Sequence, residues 1–530
     1  MRAQYRHLYR HRTVADYAAE RAERCPEGVA IHLEEGVDLT FGALWRDALA
    51  LLGAFSELGL RPGDVVSFQL PNWKEAVVVD LACAAGGLVV NPIIPIYRER
   101  EMEFILGDCR ARLLVVPERF RGWDYAAMAA ALRPRLPHLE HLVVVRGASA
   151  GGAGFWRYEE LLAGAVPGSP RRVDPDELKI LLYTSGTTGH PKAVRHSHNT
   201  FTRAFDNGAE AWELGAGDVM LMPSPVTHIT GFANGIELPF LSEARAAFME
   251  RWDAERALEF ALRVGATACL SATPFLKELL DVCEARGEGL PSLRFFASGG
   301  AAVPPALIYR AHRVFARARA FRVYGSTEAP LVTVGFMDPA DERLAAETDG
   351  RPYNWEVRIV DDEERPLPPG ADGEILVRGP ALMLGYGDPQ QTRAALTADG
   401  FFRTGDVGHL TAEGALVVTD RKKDIIIRGG ENLSAREIEE VLLGHPAIRQ
   451  VAVVAMPHPR LGEGVCACAV LEPGARLELS ELRPFLEEAK LARQKWPERL
   501  EVLDELPTTA SGKVRKDLLR DWVRRRVAGP

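Results

Sequence analysis

Tyr183-Thr-Ser-Gly-Thr-Thr-Gly-His-Pro-Lys192 is the stretch on which the reading of this chain turns. It opens at the end of the apolar run Ile180–Tyr183, which reads as a buried strand. Two glycines among one serine and three threonines make a loop rich in backbone N–H and hydroxyl donors. Polyphosphate oxygens need such donors, and Lys192 adds a point charge. The P-loop of nucleoside triphosphatases places glycine directly before its lysine. Pro191 stands there instead, so that motif is excluded. By composition alone, an ordinary Gly/Thr turn is the competing reading.

Outward from this loop, short β-branched runs alternate with helical patterns from about residue 40 to 330. Val65–Leu70, Leu88–Val90, Leu113–Val116 and Leu142–Val145 read as buried strands, as do Val219–Met222, Thr267–Ser271 and Leu293–Ala297. Amphipathic stretches such as Leu44–Leu58 and Ala254–Val264 lie between them. This alternation predicts α/β layers with largely parallel sheets. From about Trp355 the strands crowd together between turn signals, which predicts a β-rich, barrel-like subdomain. Beyond Arg428 the pattern is α+β, with Ser434 and Glu437 spaced as a capping box before a helix over Ala435–Leu443. The expected domains are residues 1–422, large and α/β, and residues 423–530, small and mobile, with the boundary near Asp420–Lys423.

Composition bounds the class. A chain of 530 residues exceeds the roughly 250–300 at which one core stops growing. It is 47% hydrophobic and 26% charged, ordinary for a globular enzyme. The net charge of −9 offers nucleic acid no electrostatic footprint. The Ala76–Ile96 stretch is apolar enough to suggest a membrane span, but Asp80 interrupts it and Gly86 and Gly87 break it. It reads as a buried helix leading into a strand. The N-terminus lacks the apolar core of a signal peptide. Seven scattered cysteines, with Cys466 and Cys468 on one face of a strand, suit reduced structural thiols in a reducing cytosol. A cytoplasmic location with no integral membrane association is therefore expected. A homodimer is left open.

The loop resembles the phosphate-binding loop of the adenylate-forming superfamily, which includes acyl-CoA synthetases, peptide-synthetase adenylation domains and firefly luciferase. The resemblance spans nearly the whole chain, and four further motifs arrive in family order. They are Tyr324-Gly-Ser-Thr-Glu328, Thr404-Gly-Asp406, Asp420-Arg-Lys-Lys-Asp424 with Arg428-Gly-Gly430, and Pro507-Thr-Thr-Ala-Ser-Gly-Lys513. One loop would be weak support; five ordered motifs are strong. The resemblance implies ATP and CoA as co-substrates with Mg²⁺, and a small domain that rotates between two half-reactions.

By that resemblance Thr184, Ser185, Gly186, Thr187, Thr188, Gly189 and Lys192 would hold ATP phosphates, with Thr184 and Lys192 also counted as catalytic. Glu328 would ligate Mg²⁺, an ion suited to a carboxylate and phosphate oxygens. Tyr324 would stack on adenine beside Gly300 and Gly325, Thr327 would meet the α-phosphate, and Asp406 with Arg421 would bind the ribose. Lys513 would bridge carboxylate and α-phosphate during adenylation. Lys423 matches the hinge, and Gly429 and Gly430 the approach of pantetheine. As bare residues, Glu328 reads as a solvated carboxylate, Asp406 as a turn aspartate, and Arg421 and Lys513 as surface cations.

On the acyl side, Pro225-Val-Thr-His228 occupies the place of a family motif, with Thr227 where an aromatic is common. His228, Phe232, Gly299 and Gly300 would line the pocket, although a satisfied core histidine remains an alternative for His228. No charge appears among them, which disfavours amino acids as substrates. Met222-Pro-Ser-Pro225, Asn91-Pro-Ile-Ile-Pro-Ile-Tyr-Arg-Glu-Arg100 and Ser298-Gly-Gly300 look most like the medium-chain acyl-CoA and cyclohexanecarboxylate–CoA ligase branch. The expected substrate is an acid with an uncharged tail, medium-chain, alicyclic or aromatic. The rival readings are an enzyme that loads a carrier protein's phosphopantetheine, a luciferase-like oxygenase, and a non-enzymatic nucleotide binder.

Overall fold

The structure, a computed structural model, describes residues 2–147, 154–184, 191–315, 317–428, 431–508 and 514–527. Two compact units emerge. One comprises Met1–Glu356 with Arg378–Phe402, the other Val357–Val377 with Arg403–Pro530. The expected boundary near Asp420–Lys423 concerned a hinge, whereas this division follows packing. It groups the β-rich segment with the C-terminal part of the chain.

The larger unit is built on two sheets. In the first, Arg319–Val323, Phe295–Gly299, Ala268–Ser271, Val219–Met222, Arg245–Phe248 and Val29–Leu33 lie side by side in parallel, and Asp38–Thr40 adds an antiparallel edge. Its strands are apolar on both faces because helices cover them. Leu258, Ala261, Leu276, Leu280 and Ile308, from three helices, close over Leu221, Cys269 and Phe296. In the second sheet, Val89–Pro92, Val65–Phe68, Leu113–Pro117, His141–Val145 and Phe155–Arg157 run parallel beside Leu178–Thr184. There the chain reverses: Lys192–Ser197 returns antiparallel to Leu178–Thr184, and Gly385–Tyr386 pairs antiparallel on its outer edge. The segment with the look of a membrane span is the buried helix Lys74–Gly86 followed by the strand Val89–Pro92. No helix among the described residues is long and apolar enough to cross a membrane.

In the second unit the β-rich segment forms a sheet in the order Glu356–Val360, Gly373–Arg378, Phe402–Leu410, Leu416–Arg421. Its end strands are not joined, so it is an open sheet where the sequence texture suggested a barrel. Four strands are too few to close round a packed interior. The C-terminal part is a second sheet built round the strand Gly462–Leu471, which forms a hairpin with the edge strand Ile448–His458. Period-two alternation splits that hairpin between two cores. Val451, Val453, Val465 and Ala467 meet Ile438, Leu442, Leu482 and Leu486 on one face. Ala452, Val454, Cys466 and Cys468 meet Leu519 and Val523 on the other. All seven cysteines are free, and the Cys466–Cys468 pair packs as core.

The helix Ala435–Leu442 starts where expected, with the Ser434 hydroxyl accepting from the Glu437 N–H at 3.1 Å. The reciprocal half of the capping box is replaced, because the Glu437 carboxylate binds the Lys495 ammonium at 2.6 Å. An ion pair stands there in place of the carboxylate's bond to a backbone N–H.

Candidate active site

The antiparallel turn-back places Thr184 opposite Lys192 in register. Ser185, Gly186, Thr187, Thr188 and Gly189 lie outside the described residues. On the other side of the Lys192 strand from Thr184, Tyr386 sits on the short edge strand. The Lys192 ammonium lies 5.1 Å from the centre of the Tyr386 ring. The phenol of Tyr386 donates to Glu328 Oε1 at 2.9 Å. One aromatic side chain thus carries the expected phosphate cation on its face and the expected magnesium carboxylate on its hydroxyl. Burial first, and then the Glu328 charge, pushes the Tyr386 phenol above its usual range, so it stays a donor. Sequence reading missed Tyr386, since its only local sign is an aromatic between Gly385 and Gly387.

The Tyr324–Glu328 turn leaves the strand Arg319–Val323 and is held by its own backbone. The Tyr324 N–H donates to Thr333 Oγ1 at 2.8 Å, and the Ser326 N–H to the Ala329 carbonyl at 3.0 Å. His196 fixes the far end, its Nε2 lying 2.8 Å from the Thr327 carbonyl. A carbonyl only accepts, so that nitrogen carries the proton. Two glycines are set by close approach. A Cβ at Gly325 would lie 2.5 Å from the Leu331 nitrogen, and one at Gly299 2.5 Å from the Val323 carbonyl oxygen. Gly300 follows with φ +79°, in the left-handed region glycine favours.

Just upstream, Arg322 grips Asp349 through contacts of 3.0, 2.7 and 2.7 Å, and both residues are buried. This pair pins the strand that delivers Tyr324. Arg322→Met is expected to destabilise the fold by about 3–5 kcal/mol, because the Asp349 charge would stay buried without the guanidinium that balances it. The urea midpoint of the first unfolding transition measures this, and an unchanged midpoint would show that the pair does not anchor the strand.

On the acyl side, His228 caps the short helix Ile229–Gly231, its Nδ1 accepting from the Thr230 N–H at 3.4 Å. The buried hydroxyls of Thr227 and Ser298, on the two segments expected as walls, have no hydrogen-bond partner. Phe232, expected to line the pocket, is 0% exposed. It stacks on Phe68 at 6.5 Å and meets Phe201 edge-on at 5.5 Å. Its ring is therefore core packing behind the wall, not open surface.

In the second unit, Asp406 and Arg421 face each other across two strands, joined at 2.8 Å between Oδ1 and Nε. The Thr404 hydroxyl accepts from the Asp406 N–H at 3.0 Å. Asp420 ties the neighbouring turn down, accepting from Arg421 N–H and Ala435 N–H, both at 2.6 Å. Lys423 lies in that turn, where desolvation first and then Arg421 lower its pKa below the usual lysine value. Gly429, Gly430 and Lys513 lie outside the described residues. Thr508 and Val514 pair across the segment that carries Lys513, and the Arg515 N–H donates to the Pro507 carbonyl at 2.7 Å.

Comparison with known proteins extends over almost the whole chain. The family model of AMP-binding enzymes matches residues 18–387, and that of the AMP-binding enzyme C-terminal domain matches residues 437–513. The chain is 36% identical to the medium-chain fatty-acid–CoA ligase of Escherichia coli K12, covering 99% of this chain and 93% of that one. It is 34% identical to a salicylyl-CoA synthase / salicylate adenylyltransferase of a Streptomyces species, covering 97% and 94% respectively. Among solved structures, an anthranilate CoA ligase in complex with anthranoyl-AMP superposes with a TM-score of 0.89 over 100% of both chains at 24% identity, a likeness of fold.

Proposed function

The chain belongs to the AMP-binding enzymes and is an ATP-dependent, AMP-forming ligase; from that premise we propose that it is an acyl-CoA synthetase for acids with an uncharged tail. A carboxylate attacks the α-phosphate of ATP, giving acyl-AMP and pyrophosphate. The thiol of CoA then displaces AMP from the acyl carbon. The observation that carries this reading is the convergence of Lys192 and Glu328 on Tyr386, which sets a cation and a carboxylate together at the end of the strand Leu178–Thr184.

Each half-reaction draws on named residues. Lys192 and the loop donors hold the polyphosphate so that the α-phosphate faces the acid. Tyr324 and Thr327 orient the adenosine monophosphate part, and Gly299 and Gly300 leave room for it beside the acyl group. Glu328 suits Mg²⁺, which takes one or two carboxylates and fills its other positions with phosphate oxygens and water. Its half-buried carboxylate, oriented by Tyr386, fits that demand. Bound there, the ion would supply charge neutralisation at the phosphates. Asp406 and Arg421 present an acceptor and a donor to the ribose hydroxyls. Lys423 is the hinge in this reading, residues 423–530 rotate about it, and Gly429 and Gly430 then admit pantetheine.

Asp406→Ala is expected to raise the ATP KM and lower kcat/KM by about 1.5–3 kcal/mol, the range for hydrogen bonds to a charged group. Steady-state kinetics over ATP concentration measure it, and an unaltered ATP dependence removes Asp406 from the nucleotide site. The reaction as a whole is tested by AMP release over a panel of straight-chain, alicyclic and aromatic acids. Each is run with CoA, without it, and with a phosphopantetheinylated carrier protein in its place. AMP release that needs CoA supports the proposal. Release that needs the carrier protein overturns the choice of acceptor, and preference for an amino acid overturns the substrate class.

A further inference from the structure

The helix Lys74–Gly86 buries Asp80 completely, and the strand Leu178–Thr184 buries Lys179 beside it. Lys179 Nζ lies 2.8 Å from Asp80 Oδ1 and 2.7 Å from Glu237 Oε1. The same ammonium lies 5.6 Å from the centre of the Phe232 ring. Phe232 and Glu237 are the first and last residues of one π-helical turn, Phe232–Glu237. A single buried cation therefore holds both ends of that turn, by its ring at one end and its carboxylate at the other. The turn follows directly on His228 and the short helix Ile229–Gly231.

Stability does not account for this arrangement. Taking three ionisable side chains out of water costs more than apolar residues of similar size would, and Asp80 Oδ2 and Glu237 Oε2 have no hydrogen-bond partner. π-helical turns are themselves rare and occur frequently at functional sites. What the cluster does achieve is registration of the turn against the strand that ends at Thr184.

We propose that Lys179 is a specificity-determining positioning residue, fixing the Phe232–Glu237 turn so that the wall beside His228 keeps one shape and admits a narrow range of carboxylic acids. The proposal rests on the acyl site as read above. Lys179 touches no substrate; it acts through the turn.

The charges around Glu237 make the grip sensitive to pH. Burial first pushes the Glu237 carboxyl up to about 7 against the pull of Lys179, and Asp80 and Asp206 add to the rise. Burial alone would lower Lys179, but Asp80 and Glu237 outweigh it and keep its ammonium charged. Cys83, one turn from Asp80, is pushed well above its usual value by burial and Asp80. His198, on the helix that also carries Asp206, is held neutral, its pKa well below the usual range through burial and the nearby Lys179. Met222 and Phe248, from the neighbouring strands, close on Gly235 without charge. Above about 7 the Glu237 carboxylate holds Lys179 as an ion pair, and below it as a weaker neutral acceptor.

The experiment uses the full-length enzyme with ATP and CoA. It measures kcat/KM over straight-chain acids that differ by single methylenes, plus benzoate and cyclohexanecarboxylate. Wild type is expected to separate neighbouring chain lengths by about tenfold. The triple variant D80N/K179M/E237Q, which keeps the shape of the cluster and removes its charge, is expected to separate them by about threefold or less with an unchanged ATP KM. Glu237→Gln decides the matter should the triple variant not fold. It is expected to make the acid profile the same above and below pH 7, whereas wild type is more selective above it. An acid profile in the triple variant equal to that of wild type overturns the proposal. So does a wild-type profile that ignores pH together with a Glu237→Gln profile that matches it. Wild type that activates no acid on the panel overturns the functional reading, and this inference with it.

Discussion

Replacing Lys513 with alanine is expected to slow adenylation by about a hundredfold or more while leaving thioester formation from supplied acyl-AMP nearly intact. A cation set where negative charge develops between carboxylate and α-phosphate supplies about 3 kcal/mol or more, and each 1.4 kcal/mol is about a tenfold change in rate. The motive is the Pro507–Lys513 motif at the end of the chain, its flanks closed by the Thr508–Val514 pairing and the Arg515-to-Pro507 hydrogen bond. In the proposed reading the second half-reaction develops its charge at the acyl carbon and the departing AMP, after the small domain would have carried Lys513 away. Pyrophosphate exchange reads the first half-reaction, and CoA consumption from synthetic acyl-AMP reads the second. Equal losses in both would show that Lys513 supports the fold or serves both steps, and the proposed division of labour would fail.

The second large effect is expected at Glu328. Glu328→Gln keeps the size of the side chain and its acceptor for the Tyr386 phenol but removes the charge that suits Mg²⁺. Pyrophosphate exchange is expected to fall by about a hundredfold to a thousandfold, the range for loss of a preorganised group that stabilises transferring phosphate charge. Tyr386→Phe removes only the hydrogen bond at Glu328 Oε1, a loss of about 1.5–3 kcal/mol at most for a bond to a charged acceptor. The order of the two variants therefore carries the test. If Tyr386→Phe proved the more damaging, the phenol would be acting on the phosphates itself, and Glu328 would serve as its orienting group. Raising Mg²⁺ should restore part of the Glu328→Gln rate and none of the Tyr386→Phe rate.

Much of this protein was legible in its sequence. The strand that runs into Thr184, the helix Ala254–Val264 and the buried helix at Lys74–Gly86 all follow from hydrophobic period and turn residues. Those signals are local: the period of a strand or helix is written within a dozen residues, and a loop's donors lie in its own backbone. The five motifs are local in the same sense, which is why a linear reading could find the family.

Tertiary structure decided what depends on distance along the chain. Tyr386 lies 58 residues from Glu328 and is brought to it by an edge strand of two residues, too short for any period to announce. Lys179 and Asp80 are 99 residues apart, and each alone reads as a charge interrupting an apolar run. Phe232 reads as a pocket residue from its place after His228, yet its neighbours Phe68 and Phe201 come from other elements and enclose it. The β-rich segment stayed an open sheet because closure depends on how many strands meet, not on how each is written. Backbone chemistry is encoded where it acts, while a side chain's partners are chosen by packing. The sequence by itself therefore determined the reaction family, and only the packed fold determined which side chains stand against one another.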